Sequence, residues 1–134
     1  MIPLTAAYAG ILTLFYLVLS FRAIGARQTA KVGLGDGGDA ALLRRLRVHG
    51  NFAEYAPLGL LLMAFAELNA APAWMIHAIG GPLMAGRLAH AVGFGRKPEW
   101  TACRTLGMAL TFTALILAAG LNLWLSASSL VAMR

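Results

Sequence analysis

The chain has 134 residues, room for one domain of ordinary size and not two. Apolar residues make up 60% of it and charged residues 12%, about half the roughly 25% share of soluble domains, and the mean hydropathy is +0.74. A small soluble domain cannot hide that much apolar surface and a disordered chain would be polar; the net charge of +6 is clustered between uncharged runs, which points to membrane orientation and to no nucleic-acid partner.

Met1 to Phe21 contains no charged side chain, and at about 1.5 Å per residue it reaches across the roughly 30 Å hydrocarbon layer. No basic residue precedes it, so it reads as a span rather than a signal peptide. Residues 22–46 read as a long polar link holding Arg22, Arg27, Lys31, Arg44 and Arg45. Within it, Gly33-Leu34-Gly35-Asp36-Gly37-Gly38 matches G-x-G-x-x-G in form, but no strand precedes it and no βαβ unit follows, so a flexible loop is expected. Asp39 is placed to cap a helix that starts near Ala40. A second apolar run lies between Arg47 and Glu67, broken only by Glu54; a third, Leu68 to Gly86, carries Pro72, His77 and Pro82; a fourth runs from Thr105 to Met133 without a charge.

Backbone groups in lipid must bond within their own helices. The expected fold is therefore an all-α membrane protein, a single domain over residues 1–134 with transmembrane helices at about 2–24, 40–68, 72–93 and 101–130. Ten of the eleven basic residues fall at one end of such a bundle, with Arg134 the exception. The positive-inside rule makes that end cytoplasmic and puts both termini outside.

Ionisable groups at membrane depth need a partner or a task. Arg47, Asn51 and Glu54 are spaced by four and three residues and share one helix face, followed at once by Tyr55. They read either as an internal lock between helices or as a polar pocket for a zwitterionic ligand. Arg87 and His90, three residues apart, lie near the cytoplasmic end of the third helix; His90 is a satisfied structural histidine or a ligand contact. His77 looks isolated and interfacial. Arg104, near the start of the fourth helix, either snorkels to the headgroups or stabilises a thiolate. Cys103 beside it has no activating base and reads as a small apolar residue. No cysteine or carboxylate spacing supports a metal site.

The segment Arg47-Val48-His49-Gly50-Asn51-Phe52-Ala53-Glu54-Tyr55 resembles the R-x-x-x-N-x-x-E-Y signature of the MAPEG family, the membrane-associated proteins in eicosanoid and glutathione metabolism. Gly86-Arg87-Leu88-Ala89-His90, the arginine opening the fourth helix and the four-helix length extend the likeness over nearly the whole chain, and the Gly-Asp-Gly-Gly loop is most similar to the bacterial branch. The resemblance implies a homotrimer in the bacterial inner membrane with glutathione as co-substrate, held between subunits near the cytoplasmic side. Glu54 would then receive the glutathione ammonium, Arg47 and Asn51 its polar and carboxylate groups, and Tyr55 would complete the cradle. Arg27, with Arg22 as the alternative, matches a basic residue at the end of the first helix, while Arg87 and His90 match the third-helix motif. Arg104 matches the arginine to which active relatives assign thiol activation.

That resemblance implies a glutathione-dependent transferase or peroxidase acting on lipophilic electrophiles that arrive through the lipid. Relatives carry a tyrosine about four residues after the histidine, where this chain has Phe94 and no hydroxyl. The alternative is a protein of the same fold that binds glutathione or a lipid headgroup without turnover. Small multidrug transporters, also four-helix proteins, typically place a glutamate in the first helix, which has no acid here.

Overall fold

The computed structural model describes residues 1–132. Met133 and Arg134, and with them the expectation that Arg134 is the lone basic residue at the far end, lie outside the described residues. Four helices follow one another: α1 (Pro3–Ala30), α2 (Ala40–Leu68), α3 (Ala73–Gly95) and α4 (Thr101–Ala132). They alternate in direction. One end of the bundle joins the α1–α2 and α3–α4 connections, where Arg44 reaches Glu99. The other gathers the N-termini of α1 and α3 with the C-termini of α2 and α4, as the Tyr8–His77 and Asn122–Leu62 hydrogen bonds show.

Each helix buries one stripe at helical spacing. Leu12 and Leu19 of α1 meet Val48, Phe52, Ala56 and Met63 of α2. Ile76, Ile79 and Leu83 of α3 close the core with Ala114 and Ala118 of α4. α2 and α3 each pack against all three other helices, whereas α1 and α4 do not touch among the described residues. The two flanking helices are also the two apolar enough to cross a bilayer by composition, each with an 18-residue stretch of mean hydropathy 1.9. The central pair carries Arg47, Glu54, Arg87 and His90 and the internal prolines Pro57 and Pro82. Of these, Arg87 and His90 are buried, whereas Arg47 and Glu54 are exposed.

α1 runs to Ala30, six residues past its expected end near 24. Residues 22–30 contain three alanines, two arginines and a glutamine, good helix formers whose polarity disguised them as a link. Arg27 falls in the last turn, where a cation complements the helix dipole, and Lys31 closes the helix in the left-handed region at φ 54°. The polar link shrinks to residues 31–39, with Gly35, Gly37 and Gly38 at positive φ, so this segment is a turn-rich loop. Asp39 caps α2 as expected, accepting from Ala41 N at 2.7 Å and Leu42 N at 3.0 Å, and those amides, Leu42 foremost, hold its carboxyl below the usual aspartate range. α1 lacks a side-chain cap of its own. Glu67, from the last turn of α2, supplies one, accepting from Leu4 N at 2.9 Å and Thr5 N at 2.7 Å.

α3 and α4 approach closely through Gly86 and Gly107. A methyl group at Gly86 would lie 2.7 Å from the carbonyl oxygen of Gly107, and one at Gly107 would collide with the backbone of His90. Gly107→Ala is therefore expected to destabilise the protein by about 1–3 kcal/mol. Gly120→Ala, with open space around it, is expected to be neutral. Thermal unfolding of both variants in one detergent, followed by loss of the monodisperse species, checks this.

Candidate functional site

The R-x-x-x-N-x-x-E face of α2 opens on a hollow of about 340 Å³ at the end of the bundle bearing the loops. Arg47, Asn51 and Glu54 line it from α2 together with Leu43, Leu46 and Gly50, Phe94 closes it from α3, and Gly35 and Asp36 form the opposite wall. Spacing along one helix brings the three polar residues together. The loop arrives because Arg27 Nη1 donates to Gly35 O at 2.9 Å and, more loosely, to Gly33 O at 3.5 Å. Arg27 therefore shapes the wall without lining it, and Arg22 offers only its carbonyl, to Arg45.

Of the two readings of the α2 face, an internal Arg–Asn–Glu lock is not what forms. Among the described residues, neither Arg47 nor Glu54 has a hydrogen bond or ion pair with another side chain, and both are exposed. The lock exists one helix away. Arg87, 1% exposed, donates Nε to Thr111 Oγ1 at 2.9 Å and Nη1 to Asn51 Oδ1 at 2.6 Å and Asn51 O at 3.2 Å. Its Nη2 reaches Met108 Sδ at 3.2 Å, and its guanidinium lies over the Tyr55 ring, 5.1 Å from the centroid. No carboxylate stands within ion-pair distance of it among the described residues. Hydrogen bonds and an aromatic face carry the whole burden of a buried cation.

This arrangement determines what Asn51 can offer. Arginine has no acceptor, so it must face the amide oxygen and leave the amide N–H₂ group as the free end. The hollow is therefore lined by donors at Arg47 and Asn51 and by acceptors at Glu54 and Asp36. Tyr55, under Arg87 and edge-on to Phe112 at 5.6 Å, faces the bundle interior and does not line the hollow.

Phe94 stands at the next boundary. His90, 6% exposed, meets the ring edge-on at 5.7 Å, and the guanidinium carbons of Arg44 and Arg104 lie 5.5 Å and 5.1 Å from its centroid. Arg104 is separated from the hollow by this ring. It neither snorkels alone nor stands free, because its Nη1 donates to Glu99 Oε1 at 2.5 Å. Cys103 donates its thiol weakly to Ala89 O at 3.2 Å, consistent with a packed residue.

Sequence spacing singles out neither Asp36 nor Glu99. Asp36 reads as one more residue of a flexible loop; the Arg27 tether to Gly35 and the Asp39 and Gly38 amides that Asp36 accepts from hold it over α2. Glu99 lies in a short connection where nothing in the local pattern announces two arginine partners. His77 is not isolated either; its Nδ1 lies 3.1 Å from Tyr8 Oη. No group of three or more metal-ligating side chains occurs among the described residues.

The family model described as "MAPEG family" matches residues 5–124 of the chain. Two relatives named "Inner membrane protein YecN", from Escherichia coli strain K12 and from Escherichia coli O6:H1, are each 40% identical over 121 residues, spanning 90% of this chain and 90% of their own.

Arg87→Lys keeps the charge and loses the planar fork that holds Thr111 and Asn51 at once. Each charge-assisted hydrogen bond lost is expected to cost about 1.5–3 kcal/mol. Thermal unfolding is expected to show a large loss for Arg87→Lys and little change for Arg47→Lys, whose side chain has no partner among the described residues.

Proposed function

The chain belongs to the MAPEG family, and from that premise we propose that it is a glutathione-dependent transferase of the bacterial inner membrane, acting on lipophilic electrophiles. In this reading all four helices span the bilayer, both termini are periplasmic and three copies assemble. The observation that carries the reading is the hollow on α2. Arg47, Asn51 and Glu54 are brought together there without satisfying one another, around a volume at the lower end of ligand sites.

Glutathione has two carboxylates, an ammonium and a thiol. Donors from Arg47 and the Asn51 amide suit a carboxylate, and Glu54, assisted by Asp36, suits the ammonium. Arg27 keeps the loop over the bound peptide, and Arg87 keeps Asn51 turned for the carboxylate. His90 and Tyr55 hold Phe94 and Arg87 in place from inside the bundle. The thiol end lies against Phe94, and the Arg104 guanidinium, 5.1 Å from the centroid of that ring, favours thiolate over thiol through its charge. The thiolate forms the new carbon–sulfur bond, and the electron pair leaves with the displaced group or is protonated by water after addition. Exposed apolar side chains on the flanking helices, among them Leu14, Leu17 and Phe21 of α1 and Phe112, Ile116 and Leu117 of α4, suit lipid contact, substrate entry and subunit packing.

A second reading is favoured by two observations at the same place. Phe94 has no hydroxyl to offer a thiol, and Arg104 already holds a carboxylate. Binding of glutathione or of a headgroup without turnover fits both.

Ultraviolet difference absorbance on adding glutathione to the purified protein separates these readings. A thiolate signal that disappears in Arg104→Ala supports the transferase, and saturable binding without a thiolate signal or conjugation supports the second reading. Glu54→Gln is expected to weaken binding about tenfold or more, the loss of one charge-assisted contact. Glu67→Gln is expected to leave affinity unchanged while lowering the unfolding temperature, because Glu67 caps α1 at the other end of the bundle. Equal loss of affinity in both variants, or no glutathione binding at all, overturns the reading. Native mass spectrometry from detergent checks the trimer.

A further inference from the structure

Both ion pairs among the described residues converge on one side chain. Glu99, in the short α3–α4 connection, accepts from Arg104 Nη1 through Oε1 at 2.5 Å and from Arg44 Nη1 through Oε2 at 3.2 Å. The same Arg44 nitrogen donates to Phe94 O at 3.0 Å. The two guanidinium groups therefore flank the Phe94 ring from α2 and α4, joined by one carboxylate, and that ring is a wall of the hollow. His90 of α3 meets the same ring edge-on, and Asp36, Arg47 and Glu54 line the hollow that the ring closes.

We infer that Glu99 is a positioning residue whose carboxylate occupies the anion position of Arg104, so that its charge sets how strongly Arg104 can activate a thiol brought to the hollow. The inference rests on the proposed glutathione reading. Its physical content is a competition. A guanidinium is a planar fork with five donors, and Glu99 engages one amino group of Arg104, fixing the direction of the fork and leaving the rest free. The same carboxylate places a negative charge beside the cation that a thiolate needs. Like charges disfavour one another's ionised form, so Glu99 restrains thiolate formation while aiming the arginine. Arg44 offsets part of that restraint by sharing the carboxylate.

Glu99→Gln separates the two effects, because the amide oxygen still accepts from Arg104 and the charge is gone. The experiment follows thiolate absorbance of glutathione bound to the full-length protein in detergent as pH is raised, for wild type, Glu99→Gln and Glu99→Gln/Arg104→Ala. A second probe is glutathione sulfonate, whose sulfur end is always anionic, with S-methylglutathione as its neutral counterpart. The expected result is a thiol titration about one pH unit lower in Glu99→Gln than in wild type, abolished in the double variant. The sulfonate is expected to bind Glu99→Gln about tenfold more tightly than wild type, with S-methylglutathione unchanged. A purely structural Glu99 would alter the unfolding temperature and leave these ratios alone.

If wild type binds glutathione and Glu99→Gln neither lowers the titration nor prefers the sulfonate, this inference is overturned and the glutathione reading stands. If wild type binds none of the three peptides, the reading itself falls and takes the inference with it. Should Glu99→Gln not fold, Glu99→Asp withdraws the carboxylate by one methylene and is expected to shift both measurements in the same direction by less; no shift overturns the inference.

Discussion

A guanidinium with no counter-ion among the described residues organises this molecule. Arg87 lies at the meeting of α2, α3 and α4, and the groups that neutralise it are a hydroxyl, an amide, a main-chain carbonyl, a thioether and an aromatic face. None of these is strong alone, and the loss of any leaves a charge with no solvent to turn to. Three helices must keep their relative heights for the set to close. Thr111 can reach Arg87 only because α3 and α4 approach through Gly86 and Gly107, and Thr111 is itself tied back to Gly107 O at 2.8 Å. Close packing and buried polarity are thus one constraint here.

The chemistry of the hollow follows from that constraint. An asparagine on a helix face can present oxygen or nitrogen, and the buried arginine removes the choice. With the amide turned, α2 offers two donor groups and one acid along a single face, a pattern complementary to a peptide with separated charges. Farther along, Phe94 is a partition. Its ring borders the hollow on one side and is flanked by Arg44 and Arg104, whose positive charge is partly cancelled by Glu99. The polar residues of the hollow and the Arg44–Glu99–Arg104 set therefore lie next to one another across one aromatic ring.

Much of this is legible in the amino-acid order because helices translate spacing directly into faces. The four apolar runs, the Asp39 cap and the grouping of Arg47, Asn51 and Glu54 all depend on local periodicity alone. The family resemblance drawn from the same residues agrees with the family to which the chain belongs. What is hidden depends on contacts between distant segments. The extension of α1 to Ala30 was masked by polar residues that are also good helix formers. Glu67 meets α1 across more than sixty residues of chain, and Asp36 joins the hollow in part through the Arg27 tether. Glu99 looks like any loop acid until the connection folds it between two arginines. Tyr55, though part of the signature, is turned inward by the cation above it, a direction that signature spacing does not encode.

The Glu67 contact with the start of α1 has a geometric consequence. α1 is a rod of 28 residues, about 42 Å long, gripped near its first residues by a carboxylate from α2 and ending in the arginine that tethers the glycine loop. A rod held at one tip and tethered at the other joins the loop that walls the hollow to the far end of the bundle, so the two ends of the molecule share a single stiff connection.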